Sequence, residues 1–321
     1  MPVVLLSAPY MIPFIDRFRP VFAHYEIELI EPYVFERLNE DDLLPLAGTF
    51  DGVICGDDRF TEKVLKKCAP RLKVVSKWGT GIDSIDQKAC KKFGIVIGNT
   101  TNAFTLPVSD SVMAYLLAFA RKQPWMDKHM KKGQWEKIMG YSLSERTLGV
   151  VGLGNIGKAV IRRARAFGMK ILGTDIVNIA PDFILESGVE MTSLEDLLTR
   201  SDFVSLNTDL NPSSHHLINF ETIRLMKSTA VLINTARGPL IEEPALVDAL
   251  QAGRIAGAGL DVFEVEPLPL DSPLIKMENV MLAPHNSNSS PSAWERVHWN
   301  TIRNLLEGLN IPCDGLIDFM D

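Results

Sequence analysis

The stretch that decides the fold is "TLGVVGLGNIGKAV", residues 147–160. A short apolar run, Leu148–Val151, leads into Gly152-x-Gly154-x-x-Gly157 and then into a helical pattern. In that setting the first glycine makes a tight turn and the second lets a backbone approach a pyrophosphate. The third lets helix and strand pack closely, and the helix N-terminus turns its N–H groups toward the phosphate charge. A second strand, "KILGTD", ends at Asp175, eighteen residues past Gly157. An acid there accepts hydrogen bonds from a ribose and repels a 2′-phosphate, so the reading is NAD over NADP.

Outward from this point the chain alternates short apolar runs with helical patterns. Val3–Leu6, Ile27–Leu29, Val53–Cys55, Leu72–Val75 and Ile95–Ile97 read as one strand series. Leu148–Val151, Lys170–Thr174, Phe203–Leu206, Ala230–Asn234, Ile255–Leu260 and Val280–Leu282 read as another. Repeated β-α-β units imply parallel sheets with helices on both faces. The expected division is residues 1–100 with 291–321 as one domain and 101–290 as the other. Between the two series, "AFTLPVSDSVMAYLLAFARK" reads as an apolar helix from about Pro107 to Lys122, either deep core or an inter-domain hinge. A final amphipathic helix is expected from Pro291 to Leu309.

Composition narrows the function. The chain has 321 residues, 46% of them hydrophobic and 23% charged, so a sizeable core is expected. A formal charge of −7 offers no footprint for nucleic acid. Four widely spaced cysteines, Cys55, Cys68, Cys90 and Cys313, read as buried reduced thiols and not as a metal site. The N-terminal apolar stretch lacks a basic flank and reads as a strand instead of a signal peptide. No apolar run approaches the roughly 20 residues of a membrane span. A soluble, cytoplasmic protein without metal is the expectation.

Three later strand ends carry polar groups, and in an open parallel sheet ligands bind at the carboxyl ends of strands. "VLINTARGPL" ends in Asn234 to Gly238 with Arg237. "AGAGLDVFEVEP" ends in Asp261, followed by Glu264 and Glu266. "VMLAPH" ends in His285. An arginine that forks onto a carboxylate, a histidine that passes a proton and an acid that orients it suit reduction of a 2-oxo acid.

With those residues in place, the sequence resembles the D-isomer-specific 2-hydroxyacid dehydrogenases, in their phosphoglycerate-dehydrogenase-like branch. The resemblance runs from about Asp51 to the final helix. It is carried by "GTGIDSID" (79–86), "MKKGQWE" (130–136), "GLGNIG" (152–157), "NTARG" (234–238), "LDVFEVEP" (260–267) and "APH" (283–285). It implies a Rossmann NAD-binding domain inserted in a flavodoxin-like substrate domain, with the active site in the cleft between them. Hinges would lie near Asn99–Pro107 and Asn286–Pro291.

By motif, the resemblance makes Arg237 the substrate anchor, His285 the acid/base and Glu266 its partner. Asp261 becomes an acid facing the nicotinamide amide. Lys77, Trp78, Gly79 and Thr80 form a turn whose amides take the substrate carboxylate. Gly152, Gly154, Asn155, Ile156, Gly157, Asp175, Thr208 and Thr235 become cofactor contacts. A homodimer is implied, with "MKKGQWE" in its arm.

Three departures stand out. Asn286-Ser287-Asn288 follows the histidine where glycines are usual. Asp57 and Asp58 occupy "ICGDDRF", where an Arg-Ser pair holds a phosphate in the phosphoglycerate enzymes, and would repel one. Asn207-Thr208-Asp209 replaces a His-Thr-Pro motif. A larger hydroxy acid is the runner-up substrate, with Trp78 and residues 286–290 bounding its pocket. An NAD(H)-sensing role with little turnover, like that of the C-terminal-binding-protein corepressors, is the alternative class.

Overall fold

The computed structural model describes residues 1–319 and divides into two compact units, Met1–Ala103 with the tail from Ser290, and Phe104–Ser289. In the first unit the strands are β1 (Val3–Leu6), β2 (Glu28–Ile30), β3 (Gly52–Cys55), β4 (Val74–Lys77) and β5 (Val96–Gly98). They form one parallel sheet in the order β2-β1-β3-β4-β5. Both central strands, β3 and β4, are buried along their whole length, as expected of a sheet covered on both faces. The helix Pro291–Gly308 packs on β3, β4 and β5 through Val297, Thr301, Ile302, Leu305 and Leu306. Each such aliphatic side chain contributes roughly 1.5–3 kcal/mol by leaving water.

The second unit holds β6 (Thr147–Val151), β7 (Lys170–Thr174), β8 (Glu190–Met191), β9 (Phe203–Leu206), β10 (Val231–Asn234), β11 (Gly257–Leu260) and β12 (Val280–Leu282). All are parallel, in the order β12-β11-β10-β9-β6-β7-β8. The order reverses beside β6, the strand that feeds the glycine turn, which is the switch point of a doubly wound sheet.

The apolar helix runs from Thr105 to Arg121, and its choice between core and hinge resolves within this unit. Val112, Met113, Tyr115, Leu116 and Phe119 join one core cluster with Leu148, Val150, Val160 and Ile161. It ends at Lys122, in the left-handed conformation, and a second helix, Gln123–Lys131, follows directly. The two-residue β8 lies outside the expected strands because it is too short to show alternation. Cys55, Cys68 and Cys90 are buried free thiols. Cys313 is only half-buried, which corrects the expectation of four buried ones. No described helix is long and apolar enough to cross a membrane.

Candidate active site

The glycine turn after β6 is shaped by close contacts. Gly152 has φ +87°, and a Cβ there would lie 2.8 Å from the Asn207 carbonyl. A Cβ on Gly157 would strike the Gly152 carbonyl oxygen, whereas one on Gly154 meets nothing within 4 Å. The turn is thus closed on the protein side and open at Gly154, where the helix Asn155–Ala166 begins without a side-chain cap. Gly154 and Asn155 are exposed, and Ile156 packs partly on the core below.

Asp175 braces the same turn. Its Oδ2 accepts from the Leu153 N–H at 2.6 Å and its Oδ1 from the Val177 N–H at 2.9 Å. Two further strand ends contribute to this edge. Thr208 follows β9 half-buried, and Asp209 beside it is exposed. Thr235 follows β10 at 8% exposure, and its Oγ1 has no hydrogen-bond partner among the described residues. Asn207 Oδ1 is likewise buried and unpartnered. An open cradle at a helix N-terminus, an acid at the next strand end and orphaned polar atoms along the edge fit a dinucleotide.

The second half of the site is built by loops that hold one another. Asn234, fully buried, accepts from the Ala236 N–H at 3.1 Å and donates from Nδ2 to the Arg237 carbonyl at 2.8 Å. This shapes the turn that presents Arg237. A Cβ on Gly238 would collide with the backbone of Phe263 and Glu264, so glycine is what lets the Arg237 turn touch the Glu264–Glu266 loop.

Asp261 is 1% exposed. Its two oxygens accept from the N–H groups of Asn286 and Ser287, both at 2.8 Å, and its carbonyl accepts from the His285 N–H at 2.7 Å. The carboxylate is buried and clamps the histidine loop. Ser287 is buried in the clamp, while Asn286 stays exposed. His285 has φ +51° and presents Nδ1 to Glu266 Oε2 at 3.1 Å. The other oxygen of Glu266 accepts from the Phe263 N–H at 3.0 Å.

Glu264 belongs to a different pair. Its Oε1 meets His216 Nε2 at 2.5 Å, and its Oε2 accepts from the Glu243 N–H at 3.1 Å. His216 went unnoticed in the sequence, where nothing in its neighbourhood marks it.

In the first unit, the turn after β4 carries Lys77, Trp78 and Gly79. The Lys77 ammonium sits 3.1 Å from Asp57 and donates to the Trp78 carbonyl, also at 3.1 Å. The Trp78 N–H donates to the Cys55 carbonyl at 2.8 Å. Those of Gly79 and Thr80 meet no acceptor among the described residues. Two expectations need correction here. Trp78 is 2% exposed, so its ring is core and does not bound a pocket. Asp58 is fully buried and accepts from the Ser7 hydroxyl and, at 2.6 Å, from the Leu38 N–H. Burial pushes its carboxyl up to about 6. Asp58 therefore holds the fold together and cannot face a substrate phosphate, and Asp57 is matched by Lys77.

With this geometry in view, comparison with known proteins is direct. Residues 113–287 match the NAD binding domain of the D-isomer specific 2-hydroxyacid dehydrogenases. The chain belongs to that family. A glyoxylate reductase from Korarchaeum cryptofilum is 44% identical over 246 residues, 75% of this chain and 74% of the relative. A D-3-phosphoglycerate dehydrogenase from Methanocaldococcus jannaschii is 39% identical over 269 residues, 83% of this chain and 49% of the relative. The crystal structure of a D-lactate dehydrogenase from Aquifex aeolicus, complexed with NAD and lactic acid, superposes with a TM-score of 0.82 at 30% identity. The match covers 96% of this chain and 97% of that one. As a D-2-hydroxyacid dehydrogenase the chain is an NAD-dependent oxidoreductase, and the corepressor-like alternative is not favoured.

Proposed function

We propose that this dehydrogenase reduces a small 2-oxo acid with His285 as proton donor, Glu266 as its partner and Arg237 as substrate anchor. The observation that carries the reading is the His285–Glu266 pair, held at 3.1 Å on a loop clamped by Asp261 beside the Arg237 turn. With Nδ1 directed at Glu266, Nε2 is the nitrogen that delivers the proton to the carbonyl oxygen. The carboxylate fixes the ring plane. Arg237 forks onto the substrate carboxylate and polarises the carbonyl. NADH supplies the hydride when bound, and the chain's own task is orientation and charge placement.

Gly152 to Gly157 would hold its pyrophosphate and Asp175 its ribose, with Thr208 and Thr235 along the edge. In this reading residues 101–290 are the NAD-binding domain, and residues 1–100 with 291–321 are the substrate domain. The amides of the Lys77-Trp78-Gly79 turn take the substrate carboxylate, a role supported by the unspent N–H groups of Gly79 and Thr80.

Two finer assignments complete the proposal. Two copies of the chain associate through the segment around "MKKGQWE", where Trp135 is 81% and Met139 76% exposed. The setting is cytoplasmic, supported by four free cysteines.

The test is NADH oxidation against glyoxylate, pyruvate and hydroxypyruvate by the wild type and by Arg237→Ala, Glu266→Gln and His285→Ala. Each substitution is expected to depress turnover, Arg237→Ala mainly through KM. Full turnover in all three variants would sink the assignment.

A further inference from the structure

We propose that Tyr10 and Trp294 form the wall that receives the side chain of the 2-oxo acid. This wall selects an aryl or branched aliphatic side chain over a phosphorylated or carboxylated one. The inference rests on the proposed capture of the substrate carboxylate by the Lys77–Gly79 turn.

The first unit's sheet runs β2-β1-β3-β4-β5, so chain direction across the sheet switches between β1 and β3. Ligands of open parallel sheets bind outside the carboxyl ends of the strands at such a switch. Tyr10 lies in the loop leaving β1, Asp57 in the loop leaving β3, and Lys77 ends β4. Residues from all three loops therefore meet at one edge of one sheet.

What they build there is aromatic. The Tyr10 ring stacks on Trp78 with centroids 4.8 Å apart and planes at 25°. Trp294 sets its edge against both, at 5.5 Å from Tyr10 and 5.7 Å from Trp78. Beneath them, Trp78 Nε1–H donates to His298 Nδ1 at 2.9 Å, and Phe14 and Phe18 flank His298. Trp78 and His298 are buried, while Tyr10 and Trp294 keep part of their surface exposed. The exposed rings are thus backed by a buried, hydrogen-bonded indole. Rings so supported are a rigid apolar surface that loses little entropy on binding.

The charges at this edge are already matched. Lys77 pairs with Asp57, and Asp58 is buried with its own donors. A second anionic group on the substrate would meet the negative ring faces. An aryl ring would instead find offset-stacking and edge-to-face partners.

The test uses the full-length protein with NADH and four oxo acids: glyoxylate, phenylpyruvate, 4-methyl-2-oxopentanoate and 3-phosphohydroxypyruvate. For the wild type, kcat/KM on phenylpyruvate and on 4-methyl-2-oxopentanoate should exceed that on 3-phosphohydroxypyruvate by about tenfold or more, the scale on which a hydrophobic pocket discriminates. Tyr10→Ala and Trp294→Ala should each lower the ratio of kcat/KM on phenylpyruvate to that on glyoxylate by about tenfold. The loss should fall on KM, and Tyr10→Phe should restore the ratio. Because the ratio is taken on one preparation, partial misfolding of a variant does not move it.

A wild-type preference for the phosphorylated acid, or a ratio unmoved by both alanine variants, overturns the wall. If glyoxylate is reduced while phenylpyruvate is not, the wall fails and the proposed function stands. If no member of the panel is reduced, the proposed function fails first and the wall with it.

Discussion

Two glutamates on the same loop of the second unit, two residues apart, each pair with a histidine from a different connection. His285 pairs with Glu266 at 3.1 Å, and His216 pairs with Glu264 at 2.5 Å. Both histidines have φ +51°, and both glutamates give their second oxygen to a backbone N–H. Judged by the pair alone they are nearly interchangeable. Their surroundings separate them. His285 follows β12 on the clamped loop, and the loop of Glu266 abuts the Arg237 turn, at the strand edge where a ligand is expected. His216 sits in the long connection after β9, its ring 3.9 Å from His215 and its N–H on the Pro239 carbonyl. Its pair ties that connection to the Glu264 loop and to the start of the helix Glu243–Gln251. A histidine–carboxylate contact is therefore not a catalytic signature in itself. Position at a strand end, next to the Arg237 turn, is what gives His285 its proposed task.

The sharpest way to break this contrast is to remove each imidazole. His285→Ala should lower kcat by about 10²–10⁴-fold, the usual worth of a positioned acid/base. His216→Ala should change it by less than about threefold, since a surface-linked staple touches no reacting atom. Steady-state NADH oxidation on one substrate decides it, and equal losses would erase the distinction.

A third histidine sharpens the comparison, because it has an indole for a partner. Burial lowers His298 from 6.5 to about 4, against the opposing pull of Glu295 and with some help from Arg17. Between those values the unfolded chain binds a proton that the folded chain does not. Stability therefore rises with pH through the window, is complete above about 6.5 and is lost on acidification toward 4. The difference amounts to about 3 kcal/mol. His298→Asn keeps an acceptor for Trp78 and cannot titrate. Its melting temperature should fall less than the wild type's between pH 7 and pH 4.

The smallest expected effect concerns the carboxylates. Glu264→Gln should cost about 1–2 kcal/mol of stability by weakening a charge-assisted bond and the staple it makes. Glu266→Gln should cost less stability and more turnover. Denaturant midpoints beside kinetics would show whether the two effects separate in that way.

Much of this was legible in the sequence. The β6 stretch and its glycines announced a parallel sheet and a dinucleotide turn, because steric demands on Gly152 and Gly157 are local. Arg237, Glu266 and His285 could be found because strand ends in a parallel sheet share one edge. What stayed hidden were choices made by tertiary partners. That the Asp261 carboxylate binds the Asn286 and Ser287 N–H groups was not visible, since they lie 25 and 26 residues further along the chain. Trp78 looked like a pocket wall until Tyr10 was found stacked on it. Asp58 looked like a charge facing substrate until Ser7 and Leu38 were seen to enclose it. Glu266 could be told from Glu264 only through the family resemblance, since what separates them is their distant histidines.

The left-handed backbone at His285 has one more meaning. Such a conformation suits glycine and asparagine best, and a side chain with a Cβ costs up to about 1–2 kcal/mol there. His285→Asn should therefore melt at a higher temperature than the wild type while losing as much turnover as His285→Ala. In the proposed mechanism the chain gives up thermal resistance at this position to keep an imidazole, and selection for heat tolerance alone would discard it.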